Sequence, residues 1–144
     1  MITPATTSDY PAIIDLWELS VRATHHFLPD DYRQEIKTLL PGVLPHVTIY
    51  TWRDTANVIK GFAGVADNKM EMLFIHPESR GQGIGRLLTE YCIHTLNADL
   101  VDVNEQNEQA VLFYKKMGYE QIGRLEFDGL GRPFPLLQLK YKRE

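Results

Sequence analysis

The chain has 144 residues, with 19 acidic against 15 basic side chains for a formal charge of -4, and a single cysteine. That length suits one globular domain over residues 1–144, and the lone Cys92 excludes an internal disulfide scaffold. The acidic balance argues against nucleic-acid binding, which depends on concentrated Lys and Arg. No stretch reads as a secretory leader or approaches the roughly 20 apolar residues that cross a bilayer, so a cytoplasmic protein without membrane contact is expected.

Ser8 or Asp9 can cap a first helix whose apolar residues Tyr10, Ile13, Ile14, Trp17 and Val21 fall at helical spacing. A loop with the sequence Ala-Thr-His-His-Phe-Leu-Pro from Ala23 leads to a second helix, expected over 31–40 and ending before Pro41. Val47 to Trp52, Val58 to Ala66 and Met70 to Ile75 read as a three-strand meander, the last two joined through Asp67-Asn68. The strongest helical register follows, with Ile84, Leu87, Leu88, Tyr91, Cys92, Thr95 and Leu96 on one face. Leu100 to Asn104 suits a central strand, and Asn107 to Met117 a helix closed by Gly118 as its left-handed cap. Tyr119 to Phe127 and Phe134 to Tyr141 complete an α/β (α+β) order, a mixed sheet flanked by helices.

Between the third strand and the best helix lies Arg80-Gly81-Gln82-Gly83-Ile84-Gly85-Arg86. A helix N-terminus presents unpaired N–H groups and about half a positive charge, and glycines let a phosphate approach them. A nucleotide P-loop would require Lys and then Ser or Thr after the last glycine, where Arg86-Leu87 stands. A dinucleotide fingerprint would require a small residue where Arg86 or Leu88 stands.

The remaining pattern, Arg80-x-x-Gly83-x-Gly85, resembles the acetyl-CoA pyrophosphate loop of the GCN5-related N-acetyltransferases (GNAT). The downstream run Asn104-x-x-Asn107-x-x-Ala110-x-x-Phe113-Tyr114 is similar to that family's second signature. The resemblance implies the GNAT fold, a mostly antiparallel sheet with a splayed pair of parallel strands that receives the cofactor. It implies acetyl transfer from acetyl-CoA to a primary amine, either a small molecule or a peptide or protein amine, by direct attack in a ternary complex, with no metal. By the same carry-over, the main chain of Leu73, Phe74 and Ile75 holds the pantetheine arm, and an N–H of Phe74 or Ile75 faces the oxyanion. Gln82 to Arg86 hold the pyrophosphate, helped by Arg80, Gly81 and Lys116, while Asn104, Asn107 and Ala110 line the opposite side.

Tyr114 is the expected acid: a free phenol, with a pKa of about 10, lies close enough to a thiol at about 8.5 for near-balanced proton donation. Ala110, Phe113 and Met117 are expected to form the buried stripe, leaving Tyr114 on its flank. Three sources remain open for the base: Glu71, which strict alternation places on one face with Leu73 and Ile75; His25, in the loop that the family uses at its acceptor site; and a solvent relay. A CoA-binding module without turnover is the competing reading. Cys92 is expected to be an inert core thiol, and the family's late strands imply a homodimer.

Overall fold

The structure, a computed structural model, describes residues 1–143. Its elements in order are β1 (Ile2–Pro4), α1 (Tyr10–Thr24), α2 (Asp30–Val43), β2 (Thr48–Arg53), β3 (Ile59–Ala66), β4 (Lys69–Ile75), α3 (Ile84–His94), β5 (Leu100–Asn104), α4 (Glu108–Met117), β6 (Tyr119–Leu125) and β7 (Leu136–Tyr141). They form one sheet of order β1-β2-β3-β4-β5-β7-β6, antiparallel throughout except where β4 meets β5. One face packs α3 and α4 over Ala63, Val65, Met70, Val101 and Leu139. The other packs α1 and α2 over Ile49, Phe62, Met72 and Phe74.

Several boundaries differ from expectation for identifiable reasons. β1 was too short to read from the sequence and is held by its ladder to β2 and by Ile2 packing on the core. α2 runs through Pro41 to Val43, because Pro41 removes only its own N–H while Leu40 and Leu44, at 5% and 1% exposure, anchor the turn around it. The buried face of α3 is rotated from the apolar register: Leu87 is exposed and Thr89 is inside, where its hydroxyl donates to the Gly85 carbonyl at 2.7 Å. In α4 the expectation is reversed. Tyr114 is the buried residue, and Ala110, Phe113 and Met117 pack around the margin. An aromatic cluster recruits it, with Tyr114 edge-on to Phe113 and Tyr119 at 5.2 and 5.3 Å between centroids.

The segment between β6 and β7 turns back across the sheet to the start of α2. There Tyr32 donates a hydrogen bond to the Asp128 carboxylate and stacks on Phe134, while Arg132 pairs with Glu35 at 2.6 Å. No helix among the described residues is long and apolar enough to cross a membrane.

Candidate active site

β4 and β5 pair only at Lys69↔Leu100 and Met70↔Val101, although both strands continue. Beyond that point they diverge, and an ion pair of 2.9 Å between Lys69 and Asp102 ties them at the base of the split. On its other edge β4 is irregular: Gly64 pairs with Met72 and Val65 with Met70, so Glu71 is an unpaired bulge residue. The bulge breaks strict alternation. Met70 lies on the α3 face, Met72 and Phe74 on the α1 face, and Leu73 and Ile75 return to the α3 face. Glu71, at the bulge, lines the opening between β4 and β5, which Asp102 also lines.

The ladder also decides which main-chain groups face the opening. His76 N–H donates to the Lys60 carbonyl at 2.8 Å, in register with the β3–β4 pairing. Alternation then directs the N–H and C=O of Phe74 to β3 and those of Leu73 and Ile75 into the split. A main-chain role for Phe74 at the arm or oxyanion is thus excluded, because its polar groups are already paired. Its ring instead packs on Phe62 at 5.6 Å.

A cleft of about 300 Å³ runs from the glycine loop along β4 to α4. It is lined by Leu73, Phe74, Ile75, Arg80, Gly81, Gly83, Ile84, Gly85, Arg86, Asn107, Ala110 and Tyr114, and by His25 from the end of α1. Gly81 and Gly83 have φ of 79° and 83°, a left-handed backbone in which a side chain is strained, and Gly83 is the N-cap of α3. No side chain caps α3, so its first N–H groups face the cleft. Arg80 is held to Gln109 at 2.8 Å and Arg86 to Glu90 at 3.0 Å. Gln82 does not line the cleft. Lys116 lines an adjoining hollow with Arg86, His94 and Tyr141.

A second opening continues through the split, lined by Glu71, Asp102 and Asn104. His25, Leu73, Phe74, Asn107, Ala110 and Tyr114 line both spaces, so they stand where the two meet. Sequence reasoning missed Asp102, Gln109 and Thr24 at this site, since none belongs to a spaced motif.

Burial pushes the Tyr114 phenol well above its ordinary range, with Tyr119 and Cys92 adding to the shift. Near-balanced exchange with a thiol therefore does not hold; the phenol stays neutral as a hydrogen-bond donor. Burial, then the positive charge of Arg80 and the neighbouring His26, lower His25 to about 4, so its ring is neutral at ordinary pH. Desolvation raises the Glu71 carboxyl, opposed by Lys69 and reinforced by Asp102 and Asp67. Cys92 is buried and pushed up to about 11, an unreactive thiol.

The acetyltransferase (GNAT) domain model matches residues 20–133. The peptidyl-lysine N-acetyltransferase YjaB of Salmonella typhimurium strain LT2 is 43% identical over 129 residues, covering 90% of this chain and 89% of that protein. Its counterpart in Escherichia coli strain K12 is 42% identical over 129 residues, with 90% and 88% covered. The solution structure of apo-form YjaB from Escherichia coli, at 38% identity, superposes with a TM-score of 0.91 over 100% of this chain and 98% of that one. A split sheet, a glycine turn opening a helix and a tyrosine between two clefts thus occur in a chain whose sequence matches this model over most of its length: the protein belongs to the GNAT family and is an acetyltransferase acting on an amine.

Proposed function

We propose that this chain transfers the acetyl group of acetyl-CoA to the side-chain amine of a peptidyl lysine, by direct attack within a ternary complex. The donor occupies the larger cleft and the lysine enters through the opening beside Glu71. The observation that carries this reading is the meeting of the two spaces at Tyr114, directly beside main-chain N–H groups that no strand uses. The peptidyl acceptor is supported by the names of the relatives and by the carboxylates Glu71 and Asp102 in the second opening.

The pyrophosphate rests on the amides from Gly83 to Arg86, with Arg80 and Arg86 at the rim and Lys116 near the adenosine end. Main-chain groups of Leu73 and Ile75 pair with the pantetheine arm, and Asn104 and Asn107 hold it from across the split. Glu71 takes a proton from the lysine ammonium; the freed nitrogen attacks the thioester carbon. The carbonyl oxygen becomes an oxyanion facing the N–H of Leu73 or Ile75. As the C–S bond breaks, the sulfur leaves as thiolate, stabilised by a hydrogen bond from the neutral Tyr114 phenol, and takes up the proton that the attacking nitrogen sheds as the amide forms.

Acetyl-CoA at about 100 times its Kd adds about 2.7 kcal/mol of stability, a rise in Tm of about 5–10 °C for a chain of this size. Stabilisation by ATP or NAD but not by acetyl-CoA overturns the donor assignment. With a lysine peptide, Tyr114→Phe is expected to lower kcat by about 100-fold with little change in acetyl-CoA affinity; equal kcat values remove Tyr114 from the chemistry.

A further inference from the structure

His25 bridges the end of α1 and the start of α4 through a chain of hydrogen bonds whose directions are fixed at both ends. At one end, the Thr24 hydroxyl lies 2.9 Å from the Ser20 carbonyl, which can only accept, so Thr24 donates its one proton there. The same oxygen lies 2.7 Å from His25 Nδ1. With its proton committed, it must accept, and Nδ1 must carry the hydrogen. At the other end, Asn107 caps α4, its Oδ1 accepting from the Ala110 N–H at 3.3 Å. That contact turns the Asn107 amide nitrogen, a donor only, toward His25 Nε2 at 3.5 Å. Both ends require the same tautomer, protonated at Nδ1 and bare at Nε2.

Nε2 has a single lone pair, and at 3.5 Å the Asn107 amide is at the limit of hydrogen bonding, so an N–H donor at ordinary distance displaces it. That lone pair lies where the two spaces meet. The charged and titratable groups around the ring are Arg80 from the glycine loop, the adjacent His26, Glu71 from β4 and Tyr114 from α4. A second ring proton would point at the Asn107 amide hydrogens and add charge beside Arg80, which agrees with the neutral ring.

We propose that Thr24 is a positioning residue: with Asn107 it locks His25 as the Nδ1–H tautomer, so that the Nε2 lone pair accepts a hydrogen bond from the attacking amine. The ring aims the nucleophile and excludes acceptors that lack an N–H. The proposal rests on the acetyl transfer described above for its consequence, though not for its geometry.

Two measurements separate these. Nitrogen-15 NMR of the ligand-free protein reads the tautomer without any turnover. The expected spectrum shows His25 protonated at Nδ1 and unprotonated at Nε2 near pH 7; the opposite tautomer, or an even mixture, overturns the proposal. Thr24→Val, which keeps the shape and removes the hydroxyl, is expected to shift the ring toward the Nε2–H form, whereas Thr24→Ser retains the native pattern. In peptide acetylation, Thr24→Val should lower kcat/KM for the amine by about tenfold, with KM for acetyl-CoA unchanged and with rescue in Thr24→Ser. Equal losses in Val and Ser, or a loss confined to acetyl-CoA binding, overturn the positioning role. Absence of peptide acetylation in the unaltered protein, with the expected tautomer present, instead overturns the acceptor assignment alone.

Discussion

Glu71 shows how one inserted residue changes chemistry. In a regular strand its carboxylate would occupy one face of the sheet; as a bulge it stands at the mouth of the split, partly desolvated and close to Lys69 and Asp102. A base must be ionised to act, and a raised carboxyl pKa means that activity falls as pH drops through a value above the usual glutamate range. We expect Glu71→Gln to lower kcat/KM by about 100-fold and to flatten this acid limb. Desolvation is the main cause of the raised Glu71 value; Asp102→Asn removes a lesser contribution and leaves Lys69 free to lower it, so the limb should move modestly to lower pH with the plateau largely kept. Measured pH profiles of kcat/KM decide both; a limb unmoved in Asp102→Asn would show that the two groups do not interact. Sequence spacing found Glu71 but not its setting, because a bulge leaves the residue types unchanged and alters only which neighbour each one faces.

Among the elements, α3 is placed by its approach to the sheet. A Cβ on Gly61 would lie 2.8 Å from Ile75 Cδ1 and 2.9 Å from Ile84 Cγ2. Ile84 opens α3, and Ile75 ends β4 beside the glycine turn, so Gly61 on β3 sets how close that helix can come. Gly61→Ala should cost about 1–3 kcal/mol by overpacking and also weaken acetyl-CoA binding, which thermal melts with and without the donor will measure. A loss of stability with the donor shift intact would separate the packing from the site. The glycine loop and the strand-helix order around it were legible because glycines, caps and local periods act within a few residues. The rotated face of α3 and the burial of Tyr114 were not. They depend on a side-chain hydrogen bond to Gly85 and on an aromatic cluster joining α4 to β6, and neither has a period.

Over the whole molecule, the net charge of -4 is unevenly used. Arg80, Arg86 and Lys116 lie along the larger cleft and its adjoining hollow, whereas the second opening carries Glu71 and Asp102, the latter paired with Lys69. Under the proposed function, an anionic donor and a cationic acceptor are thus attracted to different sides. At low salt, peptides rich in Lys or Arg near the target lysine should react faster, and the advantage should fade as the Debye length shrinks from about 10 Å at 0.1 M to about 3 Å at 1 M. Rates of kcat/KM for basic and neutral peptides that respond identically to salt would refute this division of charge.

The latch between α2 and the β6–β7 segment joins residues 96 and 97 positions apart, Tyr32 with Asp128 and Glu35 with Arg132. Such contacts form late, because a long loop must close before they contribute anything. On a ribosome the glycine turn and α3 emerge well before Asp128 and Arg132, and before β7, whose Leu137 and Leu139 complete the core under α3 and α4. A truncated or stalled chain of this protein would therefore lack both the latch and the strand on which α3 and α4 complete their core.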